Sequence, residues 1–158
     1  MGKWNNLIHR FEMAVSSPWF LSLEKDLRRL DIGDPKTVFD VGAHLGQTSL
    51  HFRKVFRNAF IHAFEPVPQN FQQLVRNVGK RDRLCINKTA LGSSIGEAFI
   101  KEGFSDLTHS IVTSGKGIEL EGKEKISLDT VDEYMTRHQI KQIDLLKIDT
   151  EGHEIEVL

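Results

Sequence analysis

Apolar positions along the chain recur first at helical spacing and later in short runs. Trp4, Leu7, Ile8, Phe11 and Val15, followed by Phe20, Leu23, Leu27 and Leu30, predict two helices over residues 1 to 31. Ser17 and Pro18 mark the break between them, as an N-cap and a first helical residue. Gly33, Asp34 and Pro35 then lead into Val38, Phe39 and Val41, a run of strand formers punctuated by Gly42. From Leu45 the spacing is helical again, through Thr48, Phe52 and Phe56. Residues 38 to 52 therefore read as a buried strand, a glycine turn and a helix, and the remaining elements are arranged around this unit.

Ala59 to Phe64 reads as a second strand ending at Glu65-Pro66, and Pro68 opens a helix with Phe71, Leu74, Val75 and Val78 on one face. Leu84 to Asn87 is a third strand, followed by Thr89-Ala-Leu-Gly92. Between Ser93 and Lys125 the pattern loosens, with Ala98 to Lys101 and Lys125 to Ser127 as strands. Asp129 reads as the N-cap of a helix reaching about His138, and Asp132 and Glu133 suit the dipole of its first turn. Ile143 to Ile148 is the fourth strand, running into Asp149-Thr-Glu-Gly-His-Glu154 and the start of another helix. Strands alternating with helices imply an α/β fold, with a mostly parallel sheet and flanking helices. The expected organisation is a helical cap over residues 1 to 34 and one α/β domain over 35 to 158. Ile155-Glu-Val-Leu158 carries no stop signal, and four strands with an apolar last one are few for such a sheet. The domain is thus expected to be incomplete on its C-terminal side, with the fourth strand as an edge open to self-association.

Composition narrows the partners. The 158 residues suit a single core, and a formal net charge of -1 gives no general attraction to nucleic acid or to an anionic membrane. A membrane-surface role for the first helix ranks behind packing, because its polar face carries Lys3, His9 and Arg10 against Glu12. No apolar run reaches the ~18 residues of a membrane span, and a secretory h-region is absent from the N-terminus. Asn6 occupies the position where a myristoylation signal needs Ser or Thr. Cys85, the single cysteine, lies between Leu84 and Ile86 and reads as a buried thiol in a reducing cytoplasm. Neither His9, His51, His62, His109 and His138 nor Lys80-Arg-Asp-Arg83 shows metal spacing; the histidines read as structural or surface groups and the basic stretch as a solvated turn.

Chemistry gathers where the strands end. In an open parallel sheet the ligand crevice lies beyond the carboxyl ends of the strands, so Asp40-Val-Gly42, Glu65 and Asp149-Thr-Glu151 should converge on one site. The turn is expected to present unpaired N–H groups and the positive end of the helix dipole. Gly42 would let a ligand approach the backbone, and Gly46 would let the helix start close to the sheet. Glu65 lies 19 residues beyond Gly46, the offset at which an acid after the second strand accepts from both hydroxyls of a ribose. Its alternative is a solvated acid helped by the dipole of the helix that opens at Pro68. Gly42-Ala-His-Leu-Gly46 lacks the middle glycine of a pyrophosphate loop, which disfavours NAD and an oxidoreductase. A cofactor with a ribose and a zwitterionic amino-acid tail fits better: turn N–H groups would take its carboxylate and acidic groups its ammonium.

These residues resemble the FkbM family of S-adenosylmethionine-dependent methyltransferases, within the class I Rossmann-like fold. The resemblance rests on Val38-Phe-Asp-Val-Gly-Ala-His-Leu-Gly46, Phe64-Glu-Pro66 with Asn70, Leu74 and Asn77, Ala90-Leu-Gly92 and Ser127-Leu-Asp129. It continues through Asp144-Leu-Leu-Lys-Ile-Asp-Thr-Glu-Gly152 and Glu154-Ile-Glu-Val-Leu158, and so covers about residues 36 to 158. It implies a cofactor loop of Asp40, Gly42, Ala43, His44 and Gly46, with His44 where the family usually has Asn. It further implies Glu65 on the ribose, Ala90 and Leu91 near the adenine, and Asp149 with Glu151 toward the methionine end and the acceptor. The implied reaction is methyl transfer to the hydroxyl of a sugar, lipid or natural product. Asp149, Glu151 and His153 are the candidate bases, with Asp149 positioning cofactor and acceptor. Two carboxylates are a thin ligand set, so no metal is expected. The competing reading is a non-catalytic fragment of such a domain that acts by binding.

Overall fold

A computed structural model describes Leu27 and residues 32–101, 123–150 and 152–158. The helices expected over residues 1 to 31 lie outside the described residues apart from Leu27, as do residues 102–122 and Glu151. The unit Pro35–Leu158 is taken by itself.

Its main sheet is built from β1 (Thr37–Val41), β2 (Phe60–Phe64), β3 (Leu84–Asn87) and β7 (Leu145–Ile148), in the order β3-β2-β1-β7 and all parallel. The expected parallel sheet is therefore present. Helix α1 (Gln47–Val55) connects β1 to β2, and α2 (Pro68–Val78) connects β2 to β3. Alternation along the strands divides the core between two faces. Phe39, Val41, Phe64 and Leu91 pack with Tyr134 and Val157 on one side. Ala43, Ala63, Leu74 and Val78 pack on the other, where Val75, expected on the apolar face of α2, is instead 43% exposed.

A second, three-stranded sheet contains the two strands expected at Ala98 to Lys101 and Lys125 to Ser127, together with one, β4 (Ala90–Leu91), that the sequence did not signal. In this sheet β4 lies parallel to β6 (Lys123–Asp129), and β5 (Gly96–Lys101) runs antiparallel to β6. Helix α3 (Val131–Arg137) follows β6 directly, and α4 (Glu154–Val157) follows β7. The N-cap of α3 is Thr130 rather than Asp129: the Thr130 side chain accepts from the Glu133 N–H, one residue later than expected. Asp129 closes β6 instead, and its carboxylate accepts from the Thr130 N–H and pairs with Arg137.

The strands start and end in register. Asp144 accepts from the N–H groups of Lys36 and Thr37 at 2.8 and 2.9 Å, which ties the beginning of β7 to that of β1. These backbone bonds hold its carboxyl below the usual range. At the far end Asn87, Phe64, Val41 and Ile148 are successive partners across the sheet. Glu65, Gly42 and Asp149 thus leave neighbouring strands side by side, spaced at about 5 Å per strand.

Candidate cofactor site

The turn after β1 is held mainly by the end of β2. Gly42 and Ala43 donate to the Phe64 carbonyl at 3.1 and 2.9 Å, and within the turn Gly46 donates to the Ala43 carbonyl at 2.8 Å. The N–H groups of Gly42, Ala43 and Gly46, expected to be free for a ligand, therefore have partners in the protein. His44 adopts φ 50, a left-handed conformation that Asn tolerates better than His, and its N–H donates to Glu65 Oε2 at 2.8 Å. Its side chain is exposed. Gly46 caps α1 with φ 90 and supplies no side-chain bond, so the positive end of that helix dipole faces the strand ends.

The two glycines make room for other parts of the chain. A Cβ on Gly42 would collide with the Asp149 carbonyl oxygen, so its missing side chain admits the turn after β7. A Cβ on Gly46 would meet Leu74 Cδ1 at 2.6 Å and Val78 Cγ2 at 2.8 Å. That glycine brings α1 against α2, not against the sheet.

Glu65 is 4% exposed and clasps the backbone on both sides, with Oε2 on His44 and Oε1 accepting from Val67 at 3.0 Å. Burial raises its carboxyl above the ordinary value, while the Val67 and His44 bonds pull against that shift. Asn70 adds a side-chain hydrogen bond, and a carboxylate with about four acceptor positions still has room for a further donor. Its burial and its two bonds are unlike those of a solvated helix-start acid.

Asp40 is fully buried rather than presented to the crevice. Its Oδ2 accepts from Ser49 Oγ at 2.6 Å, and its Oδ1 lies 3.1 Å from Lys147 Nζ. Burial pushes its carboxyl up, and Lys147 and Ser49 pull it back. The same ammonium reaches Asp149 Oδ2 at 3.7 Å, and the Asp149 side chain is 46% exposed. Asp149 is thus the open end of the chain Asp40, Lys147, Asp149.

Glu154 organises the turn after β7. Its carboxylate accepts from the N–H groups of Thr150 and Gly152 and from the Thr150 hydroxyl, and these bonds lower its pKa to about 2. His153 is the half-buried N-cap of α4, and Glu151 lies outside the described residues. Ala90 and Leu91 lie on the second sheet, with Leu91 packed against the cluster that holds Val41 and Phe64 and Ala90 in a separate apolar cluster. Among the described residues no three His, Cys, Asp or Glu side chains come together as a metal set.

The structure therefore brings Gly42, Ala43, His44, Gly46, Glu65 and Asp149 together, with Asp40 behind them. Sequence reasoning passed over Lys147, Ser49 and Glu154. A lysine inside the apolar run Leu-Leu-Lys-Ile, where a strand is otherwise buried, was the available sign.

The parallel sheet, the glycine turn and the acids at the strand ends on either side of it define a Rossmann-like domain of the methyltransferase class. The methyltransferase FkbM domain pattern matches residues 40–158, and the chain belongs to that family. Among curated relatives it is 28% identical over 141 residues to the hexuronic acid methyltransferase AglP of Haloferax volcanii, covering 85% of this chain and 55% of that protein. It is also 28% identical over 151 residues to the methyltransferase sdnD of Sordaria araneosa, covering 77% of this chain and 58% of that protein. The chain thus spans a little over half the length of these relatives. No solved structure matches it at a significant level. No described helix is long and apolar enough to cross a membrane.

Proposed function

We propose that this chain binds S-adenosylmethionine and forms the cofactor-binding part of an enzyme that methylates a hydroxyl oxygen on a small acceptor. The observation that carries this reading is the placement of two carboxylates of different character beside the same turn. Glu65 is buried and fixed by two backbone N–H groups, as a group that must hold a diol in one orientation should be. Asp149 is half exposed at the next strand end but one. Two carboxylates around one ammonium leave a net negative charge, and it falls on the exposed Asp149. That charge suits the ammonium and sulfonium of the cofactor.

When bound, S-adenosylmethionine supplies a methyl carbon on a sulfonium leaving group. The chain's own residues bind and orient. Glu65 holds the ribose and keeps the His44 end of the turn in place, while the uncapped start of α1 offers its dipole to the cofactor's carboxylate. Asp149 orients the acceptor hydroxyl and takes its proton; Glu151 and His153 are the other candidate bases. A sugar-type acceptor agrees with the name of the archaeal relative. The single described cysteine, Cys85, carries no disulfide, which suits a reducing cytoplasm.

Calorimetric titration of the chain with S-adenosylhomocysteine tests the reading. One saturable site is expected, and Glu65→Ala should weaken it by about tenfold or more. Unchanged affinity in a folded Glu65→Ala variant would remove the ribose assignment, and no heat with the parent chain would remove the cofactor.

A further inference from the structure

Lys147 stands opposite Asp40 in the β1–β7 register, on the face of the sheet covered by α1. Its side chain is only 10% exposed. A lysine kept there to neutralise Asp40 would need one contact, yet this ammonium makes several. It donates to the Gly42 carbonyl at 2.9 Å and to the Val41 carbonyl at 3.3 Å, and it lies within ion-pair distance of both Asp40 and Asp149. These partners belong to the end of β1, the glycine turn and the turn after β7. One charge is therefore shared among the parts of the backbone that frame the site. The close fit of the two turns, in which the Asp149 carbonyl occupies the space beside Gly42, demands such a fixed alignment.

We propose that Lys147 is the positioning residue of this site: its ammonium locks the turn after β1 to the turn after β7 and aims the Asp149 carboxylate outward. The assignment of that site to a methyl donor rests on the function proposed above; the locking of the turns rests on the geometry alone.

The test separates positioning from charge compensation. Lys147→Met strands a buried carboxylate and is expected to fold poorly, so the informative protein is the double variant Asp40→Asn, Lys147→Met. A neutral pair in place of a buried ion pair should return most of the lost stability. Amide hydrogen exchange is then read at Gly46 and Asp149, which donate to Ala43 and Val41, and at Ile61 in the sheet interior, which donates to Arg83. In the double variant, protection at Gly46 and Asp149 should fall by about tenfold while Ile61 keeps its protection. Affinity for S-adenosylhomocysteine should fall by about tenfold or more in the same protein. Parent-like protection of both turn amides in the double variant would overturn the proposal and reduce Lys147 to a counter-ion. Lost protection in a chain whose parent does not bind S-adenosylhomocysteine would support the locking role and strike the cofactor reading alone.

Discussion

Two buried polar networks occupy opposite faces of the same sheet, and they are built on different principles. On the α1 face, Asp40, Ser49 and Lys147 form an ionic network that reaches the surface through Asp149. On the α3 face the network is neutral and closed. Tyr134 donates to Asn87 Oδ1 at 3.2 Å and sits 2.8 Å from His62 Nδ1, while Asn87 donates to the Ala63 carbonyl at 3.1 Å. With the phenol donating to Asn87, its oxygen is left to accept from the Nδ1–H tautomer of His62. Aromatic rings enclose it: Tyr134 meets Phe39 and Phe64 edge to face and stacks on His138. Burial drives the His62 pKa to about 4 and the Tyr134 phenol above its ordinary range. A neutral network is balanced by its own hydrogen bonds and can be sealed in a core. An ionic one places charge in the interior, and here it runs on through Lys147 to the partly exposed Asp149.

This contrast gives a ranked set of expectations. Lys147→Met should cost the most, about 3–5 kcal/mol, because it leaves the Asp40 carboxylate buried without its partner; urea denaturation reads this, and a loss under about 1 kcal/mol would erase the distinction between the networks. Acid should act next, through His62. Its folded pKa of about 4 lies below the ordinary histidine value of 6.5, so the neutral ring favours the fold. That stability is complete above pH 6.5 and is lost as pH falls toward 4, amounting to about 2 kcal/mol between pH 7 and 5. His62→Asn should show a correspondingly flatter profile over that interval; equal slopes in the two proteins would mean that His62 is not held neutral. Tyr134→Phe leaves Asn87 and His62 each short of one bond and should cost about 1.5 kcal/mol. Thr130→Ala, which touches neither network, should cost about 1 kcal/mol through the lost N-cap alone.

Much of the main sheet was legible because its signals are local. Apolar runs ending before Gly42, Glu65-Pro66, Lys88-Thr89 and Asp149 marked its four strands, and Pro68 marked the start of α2 to the residue. Two strands of the second sheet were legible at Ala98 to Lys101 and Lys125 to Ser127, but β4 was hidden because it has two residues and its partner β6 lies far along the chain, where pairing leaves no period to read. The acids at the strand ends were visible for a topological reason, since parallel strands deliver their carboxyl ends to one side. Their division of labour was not visible. Nothing in Val-Phe-Asp-Val separates a buried Asp40 from an exposed one, and nothing near Lys147 names Asp40 as its partner.

By itself, then, the sequence determined the strand-turn-helix unit, the parallel direction of the main sheet's strands and the placement of Glu65 and Asp149 at strand ends on one side of it. These follow from periodicity, from turn residues and from the direction in which parallel strands run. Only the tertiary structure decided that Asp40 faces inward to Lys147 and Ser49, that Gly42 makes room for the Asp149 carbonyl, and that Gly46 makes room for Leu74 and Val78. Those outcomes depend on the register of β1 against β7 and on the contact of two helices. Both are relations between segments distant in the chain, and close packing rather than local preference sets them.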